Sequence, residues 1–455
     1  MGSLTTSRGP ESKAQAEVKT AERRSSLAYY ALLVFSFLYF ARPEDLLPGL
    51  SYIPFGKITG GIALLALIFG VRGHRAVKKI PIEVKLLIAL LFWLILTIPF
   101  AWWRGGAFDT VFNRFSKSVI VAALVSLLVT RMGELRKLLF VQAFCLALMT
   151  VVSIALYRQQ GRMGGVLGGV FENPNDLAIN IALNWPLAFA FLLLAKGLFR
   201  KLFWAGAMFV MLVGVVLTYS RSGFLAIILC ALICLYQFGF KGKRMYLVGA
   251  AAFGLLILMV AAPFFGLYPK IWATRMTSIV TTDLENTYDN GSREARQELL
   301  KESLGYMTTH PIFGVGPGNF ASVSGTWRVA HNTYTELGAE AGLPALALFL
   351  LVLYQAFKNL RKVTKSPAYK TDPEIKVLAG AMWASFGAYL VAAAFSDTQY
   401  ELFPYFMVAY TTALYHLACV IPRREEPTPT DGKPRASSFD RYYGRSRKPE
   451  LAGTR

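Results

Sequence analysis

Charge is what this chain has least of. Only 16% of its 455 residues are Asp, Glu, Lys or Arg, where a soluble chain carries about 25%. With 55% hydrophobic residues and a mean hydropathy of +0.43, it has too little polar surface to cover a soluble fold of this size. Cysteine and histidine are scarce too, at four each. Cys145, Cys230, Cys234 and Cys419 all fall in apolar runs, with Cys230 and Cys234 four apart on one helix face. No pair has zinc spacing with histidines and none suggests a disulfide framework, so they read as small packing residues. No internal repeat is visible. The net charge of +21 does not make a nucleic-acid protein, because a basic patch would need an aqueous domain to sit on; no nucleic-acid partner is expected.

Long apolar runs are what the chain has in abundance. A bilayer core of ~30 Å takes about 20 residues of helix to cross. Runs of that kind lie at 84–103, 115–130, 138–157, 177–195, 202–219, 222–240, 245–265, 344–357, 377–395 and 402–421, with two shorter ones at 27–41 and 58–71. The expected fold is therefore all-α and polytopic, with about twelve transmembrane helices. Residues 1–26 are polar and basic and precede a helix that reads as an uncleaved signal anchor. The Pro- and Arg-rich segment 422–455 reads as a disordered tail meeting anionic lipid headgroups. The domain expected between them, 27–421, includes one large outer loop at 266–331.

The basic residues test this count. With both termini cytoplasmic, 34 of the 48 Lys and Arg fall on inner segments and 14 on outer ones, while Asp and Glu divide 12 inside and 15 outside. The inner face carries +22 and the outer face −1. That is the positive-inside bias, and one missed helix would invert every later loop. The excess basicity sets orientation.

Ionisable residues that the bilayer excludes mark function in such proteins, and here they gather at the outer helix ends. Arg158 and Arg162 lie in a Gly-rich loop just before Glu172-Asn173-Pro174-Asn175-Asp176, where Asn-Pro signals a turn and Asn175 or Asp176 is expected to cap the next helix. Tyr219-Ser220-Arg221-Ser222-Gly223 joins two helices with almost no loop. Arg221 puts a cation at a helix N-terminus, where the dipole disfavours it, and a bound phosphate would resolve the conflict. Ser292 is expected to cap a helix at 293–308, on which Arg293 and Arg296 share a face. Their guanidinium groups match a pyrophosphate, although Glu294 and Asp289 offer a plainer neutralisation. The run His310-Pro311 to Gly314-Val315-Gly316-Pro317-Gly318-Asn319-Phe320 lacks the strand context of a nucleotide loop and reads as a structural turn. Last, Asn332, Glu336 and Glu340 form an i, i+4, i+8 stripe that Pro344 is expected to break or kink. His331 stands above that stripe at the water boundary and is the best-placed base of the four histidines.

In this order, Asn173-Pro174-Asn175-Asp176, Ser220-Arg221-Ser222-Gly223, Ser292-Arg293 with the 310–320 run, and His331-Asn332 with Glu336, Glu340 and Gly342 resemble the O-antigen ligase and O-antigen polymerase superfamily over roughly residues 160–350. The sequence departs from the family pattern in having Leu299 and Leu300 where a tryptophan often follows the loop arginine. The resemblance implies an inner-membrane glycosyltransferase that moves a glycan from undecaprenyl pyrophosphate to an acceptor hydroxyl, on a glycan or lipid A-core. It implies inversion, no metal and no cofactor, with membrane lipids around the protein. It puts the essential arginines at Arg221 and Arg293 and the essential histidine at His331. Arg296, Arg158, Arg162, Asn173, Asn175, Asp176, Ser220, Asn332, Glu336 and Glu340 are the expected substrate-binding residues, Glu336 also as holder of the imidazole tautomer. Three other readings compete: a transporter or flippase of lipid-linked sugars, a metal-dependent membrane glycosyltransferase using Glu44 and Asp45, and a purely structural scaffold, which would leave the outer arginines unexplained.

Overall fold

A computed structural model describes residues 27–43, 55–70, 80–157, 162–165, 173–240 and 287–420, and no strand occurs among them. The helices are α1 (Leu27–Ala41), α2 (Phe55–Gly70), α3 (Ile82–Phe100), α4 (Arg104–Leu128), α5 (Met132–Leu156), α6 (Pro174–Leu194), α7 (Leu198–Leu217), α8 (Arg221–Phe240), α9 (Thr287–Thr309), α10 (Thr333–Lys365), α11 (Pro373–Phe395) and α12 (Leu402–Tyr415). Eight of them, α3 to α8 with α10 and α11, are long and apolar enough to cross a membrane among the described residues. α1 is shorter. The expected span 245–265, the loop residues 266–286 and both terminal segments lie outside the described residues.

Helix ends follow from local chemistry. Pro174 and Pro373 occupy first-turn positions, where a missing N–H costs nothing, behind the caps Asn173 and Asp372. The cap of α6 is Asn173, whose side chain accepts from the Asn175 N–H, rather than Asn175 or Asp176. α9 begins at Thr287, so Ser292 is an interior residue of a longer helix than 293–308. α4 begins near residue 104 rather than 115, because a π-helical turn at Thr110–Phe115 carries the chain between two α segments.

α6 is buried over most of its length and packs on α5, α7, α8 and α11. Polar side chains along it bond to one another and to backbone inside the bundle, as a low-dielectric surround favours. Gln142 Nε2 donates to Asn184 Oδ1 at 2.7 Å, Asn184 donates to the Asn180 carbonyl at 2.8 Å, and Asn180 to that of Asp176 at 2.9 Å. α12 packs on α4 and α10, and α10 also packs on α3 and α9.

α10 is one helix with a break at Gly342 (φ 78°, ψ 174°), two residues before Pro344. Proline removes one N–H and the turn at Gly342 redirects another, so carbonyls of the first half are left open. The loop after α9 fills them. Val315 N–H donates to the Ala339 carbonyl at 2.9 Å and Gly316 N–H to that of Glu340 at 2.8 Å, while Leu343 N–H donates back to Pro311 at 2.8 Å. Trp93 Nε1 of α3 takes the Ala341 carbonyl at 2.9 Å. The 310–320 run is thus a backbone clasp. A Cβ on Gly342 would stand 2.0 Å from the Ile312 oxygen, and one on Gly314 2.3 Å from the Glu340 carbonyl carbon. Gly342→Ala is expected to cost at least ~2 kcal/mol from its backbone conformation alone. Thermal unfolding in detergent checks this against Gly305→Ala, where a Cβ meets nothing within 4 Å; equal melting temperatures would sink the clasp.

Candidate active site

The ends of α5 and α7 and the starts of α6, α8, α10 and α12 meet at one end of the bundle. Two of the polar clusters join there through one side chain. Asn175 Oδ1 accepts from Arg162 Nη2 at 2.6 Å and from Ser220 Oγ at 2.9 Å. Arg162 Nε also donates to the Thr218 carbonyl at 3.0 Å. Ser220 caps α8 by accepting from the Gly223 N–H at 3.2 Å. Tyr219 before it takes φ +51°, the sharp bend that lets two helices meet without a loop. Arg221, half-buried, is the first residue of α8. Asn175 and Ser220 thus tie the segment that carries Arg162 to the helix start that carries Arg221.

His331 has φ +53°, a left-handed conformation that histidine tolerates better than most residues but still at a cost. Five hydrogen bonds hold the residues on either side of it. Ala330 N–H donates to Glu336 Oε2 at 2.8 Å. Asn332 caps α10, its Oδ1 accepting from Tyr334 N–H at 3.0 Å and Thr335 N–H at 3.2 Å. Thr333 Oγ1 donates to the Ser396 carbonyl at 2.7 Å and accepts from Thr398 N–H at 2.9 Å. This last pair pins the loop between α11 and α12 against the start of α10. Asp397 sits in that loop, with Oδ1 3.8 Å from His331 Nδ1.

Glu336 and Glu340 are 3% and 1% exposed, and each accepts a backbone N–H. Glu340 Oε1 accepts from Phe320 N–H at 3.0 Å, with the Gly318 N–H and Tyr400 hydroxyl directed at the same carboxylate. Gln399 is directed at Glu336. Both acids thus hold backbone close to His331. They anchor the loops on either side of His331, because a buried carboxylate is stable only where N–H and O–H groups point at it. Asn332 likewise is a cap. A carboxylate beside the imidazole is that of Asp397.

Burial pushes the His331 imidazole down to about 4, and the charges of Arg296, Arg328 and Arg162 push the same way. Burial raises Asp397 to about 6, against the pull of its own backbone N–H and of Arg114. Glu401 is also raised by burial, again opposed by Arg114. At neutral pH the pair is therefore a carboxylate beside a neutral imidazole. If Asp397 fixes the proton on Nδ1, Nε2 is left able to accept one. Of the residues singled out in the sequence, Arg162, Arg296 and His331 share one electrostatic field, and Asn173, Asn175, Asp176 and Ser220 frame it. Arg158, the Arg293 side chain, Glu44 and Asp45 lie outside the described residues. Arg114, Arg328, Asp397 and Glu401 were not signalled by any motif. The polar run Ser396-Asp397-Thr398-Gln399-Tyr400-Glu401 between two apolar helices was the available cue.

The two shifts act on stability with opposite signs. His331, lowered below its ordinary value, contributes stability that is complete above about 6.5 and is lost as pH falls towards 4. Asp397, raised, contributes stability that is complete below its ordinary value of 3.8 and is lost as pH rises through about 6. The melting temperature of Asp397→Asn, measured across this range, is expected to climb with pH more steeply than that of the wild type. Parallel curves would contradict the assignment.

Residues 206–350 match the family model described as O-antigen ligase. No curated protein matches the chain. The matched stretch runs from α7 into α10 and contains Arg221, Arg293, Arg296 and His331. Over those residues the chain is similar to the O-antigen ligases, which supports the O-antigen ligase and polymerase superfamily and glycosyl transfer of that kind in polysaccharide biosynthesis.

Proposed function

We propose that the protein transfers a glycan from undecaprenyl pyrophosphate to an acceptor hydroxyl, with inversion and without a metal, at the outer face of the bacterial inner membrane. The acceptor is a lipid A-core oligosaccharide or another lipid-linked repeat unit. The observation that carries this reading is a neutral imidazole with a carboxylate on one side and arginines around it. A base that must accept a proton at neutral pH has to be uncharged beforehand, and the burial and cations around His331 keep it so. The same cations suit an anionic donor.

In the reaction, the acceptor oxygen attacks the anomeric carbon from the face opposite the phosphate. Its proton passes to His331 Nε2. The bond between the anomeric carbon and the phosphate oxygen breaks, and undecaprenyl pyrophosphate leaves with the electron pair. Charge grows on the pyrophosphate as that bond lengthens, so fixed guanidinium groups favour the transition state over the bound donor. Arg221 and Arg293 are assigned to that role, with Arg296, Arg162 and Arg158 completing the anion field. Asn173, Asn175, Asp176 and Ser220 shape the donor side. Asp397 is a positioning residue, holding the tautomer and steadying the imidazolium that forms. The surplus of Lys and Arg on the segments away from this site supports the outward orientation.

His331→Ala, Arg221→Ala and Arg293→Ala are each expected to lower glycan transfer by about 10²-fold or more while the protein still inserts. The readout is accumulation of the lipid-linked glycan in membranes; wild-type transfer by His331→Ala would remove the base assignment. For Asp397→Asn the expected loss is about 10²–10⁴-fold in turnover with donor affinity retained. Asp397→Glu should recover part of it, and a variant that loses only donor affinity would show that Asp397 acts on binding instead.

A further inference from the structure

At the end of the bundle opposite His331, α1, α5, α6 and α7 bound a cavity of ≈ 510 Å³. Its floor is a set of packed rings. Phe140 meets Phe191 and Trp204 edge-on, with centroids 5.7 and 5.5 Å apart, and Phe191 stacks on Trp204 at 4.9 Å. Phe191 and Trp204 are buried, whereas Phe140 and Phe203 are each 42% exposed and face the opening. Rings held this tightly do not collapse to fill the space, so the cavity keeps its shape.

The mouth is cationic. Arg136 and Lys137 stand one helical turn before Phe140 on α5, and Arg200 one turn before Phe203 and Trp204 on α7; all three line the cavity. Both helices start at this end, so each cation lies nearer the water and each ring deeper. Lys196 and Lys201 add exposed charge beside Arg200. Among the described residues, two acids nearby are engaged. Glu374 pairs with Arg136 at 3.1 Å, and Glu134 Oε2 accepts the Thr130 and Arg131 N–H groups at 2.8 and 3.1 Å. The result is a cavity with an apolar interior, an aromatic floor and basic side chains at the rim.

We infer that this is a binding site for one phospholipid with a net negative headgroup, drawn from the leaflet at that end of the bundle. An acyl chain lies against Phe140, Phe203 and Val141, and the headgroup phosphate meets Lys137 and Arg200. Neutral lipid fills the apolar part equally well but gains less at the rim, where a headgroup amine meets like charge. Charge complementarity thus selects the occupant. The bound lipid bridges α1, which contributes Leu33, to α5 and α7. The site is independent of the glycan-transfer reading.

The test uses the full chain purified in neutral detergent, with its melting temperature followed as phosphatidylglycerol or phosphatidylcholine is added. Phosphatidylglycerol is expected to stabilise the wild type at lower concentration. Lys137→Ala with Arg200→Ala removes two rim charges, and half-saturation for phosphatidylglycerol should rise about 30-fold while that for phosphatidylcholine stays put. Val141→Trp, which fills the cavity, should abolish both effects. Lys137→Glu changes only an exposed position and should reverse the preference if Val141→Trp fails to fold. Equal stabilisation by the two lipids, or an unchanged phosphatidylglycerol response in the double variant, would overturn the site. So would a lipid-free dimer that Val141→Trp dissociates, because a second copy would then be the occupant.

Discussion

The break in α10 is the constraint on which the rest depends. A helix inside a bilayer cannot leave carbonyls open, since no water is there to take them and each orphan costs several kcal/mol. Gly342 and Pro344 open carbonyls at Ala339 and Glu340, and the backbone of Val315 and Gly316 closes them. That obligation draws the 310–320 loop into the membrane end of the bundle. Once it is there, Glu340 reaches the Phe320 N–H and Glu336 reaches the Ala330 N–H. The conformation of His331 is what remains after those bonds are made.

The same framework explains how a polar site survives at the edge of a hydrophobic one. The arginines and acids there are not interchangeable decorations. Glu336 and Glu340 face inwards and hold backbone, Asp397 faces the imidazole, and the guanidinium groups of Arg162, Arg296 and Arg328 lie close enough to keep that imidazole uncharged. A histidine surrounded by cations and partly out of water is uncharged at neutral pH, with one ring nitrogen free of a proton. Its readiness comes from burial first and the neighbouring charges second. Loosening the clasp would therefore let water in and return His331 towards its ordinary value before any contact to substrate changed.

Much of the fold was legible from apolar run length, because crossing a bilayer imposes one dimension on every helix. Eleven of the twelve expected runs fall on described helices, and the shifts at their ends fall where hydropathy is silent. The α4 start was misplaced because a π turn at Thr110–Phe115 continues a helix through polar residues. The α9 start was misplaced because Ser292 offers a capping oxygen but the chain was already helical from Thr287. The His331 loop was legible as a motif, whereas the role of its acids was not. Spacing puts Glu336 and Glu340 on one face and cannot say whether that face meets substrate or backbone.

By itself the sequence determined an all-helical membrane chain, the end of the bundle where ionisable residues collect, and the histidine and arginines worth testing. Those properties are local or cumulative: hydropathy adds along a run, and a cap or a proline acts on its own helix. Tertiary structure alone decided which carboxylate stands beside His331. Asp397 arrives there on another loop, held by Thr333 through Ser396 and Thr398, and a pairing across two helices leaves no periodic trace in either. It also decided that Glu336 and Glu340 are anchors, since a carboxylate's partners in a low-dielectric interior are set by which backbone N–H groups the packing brings within reach.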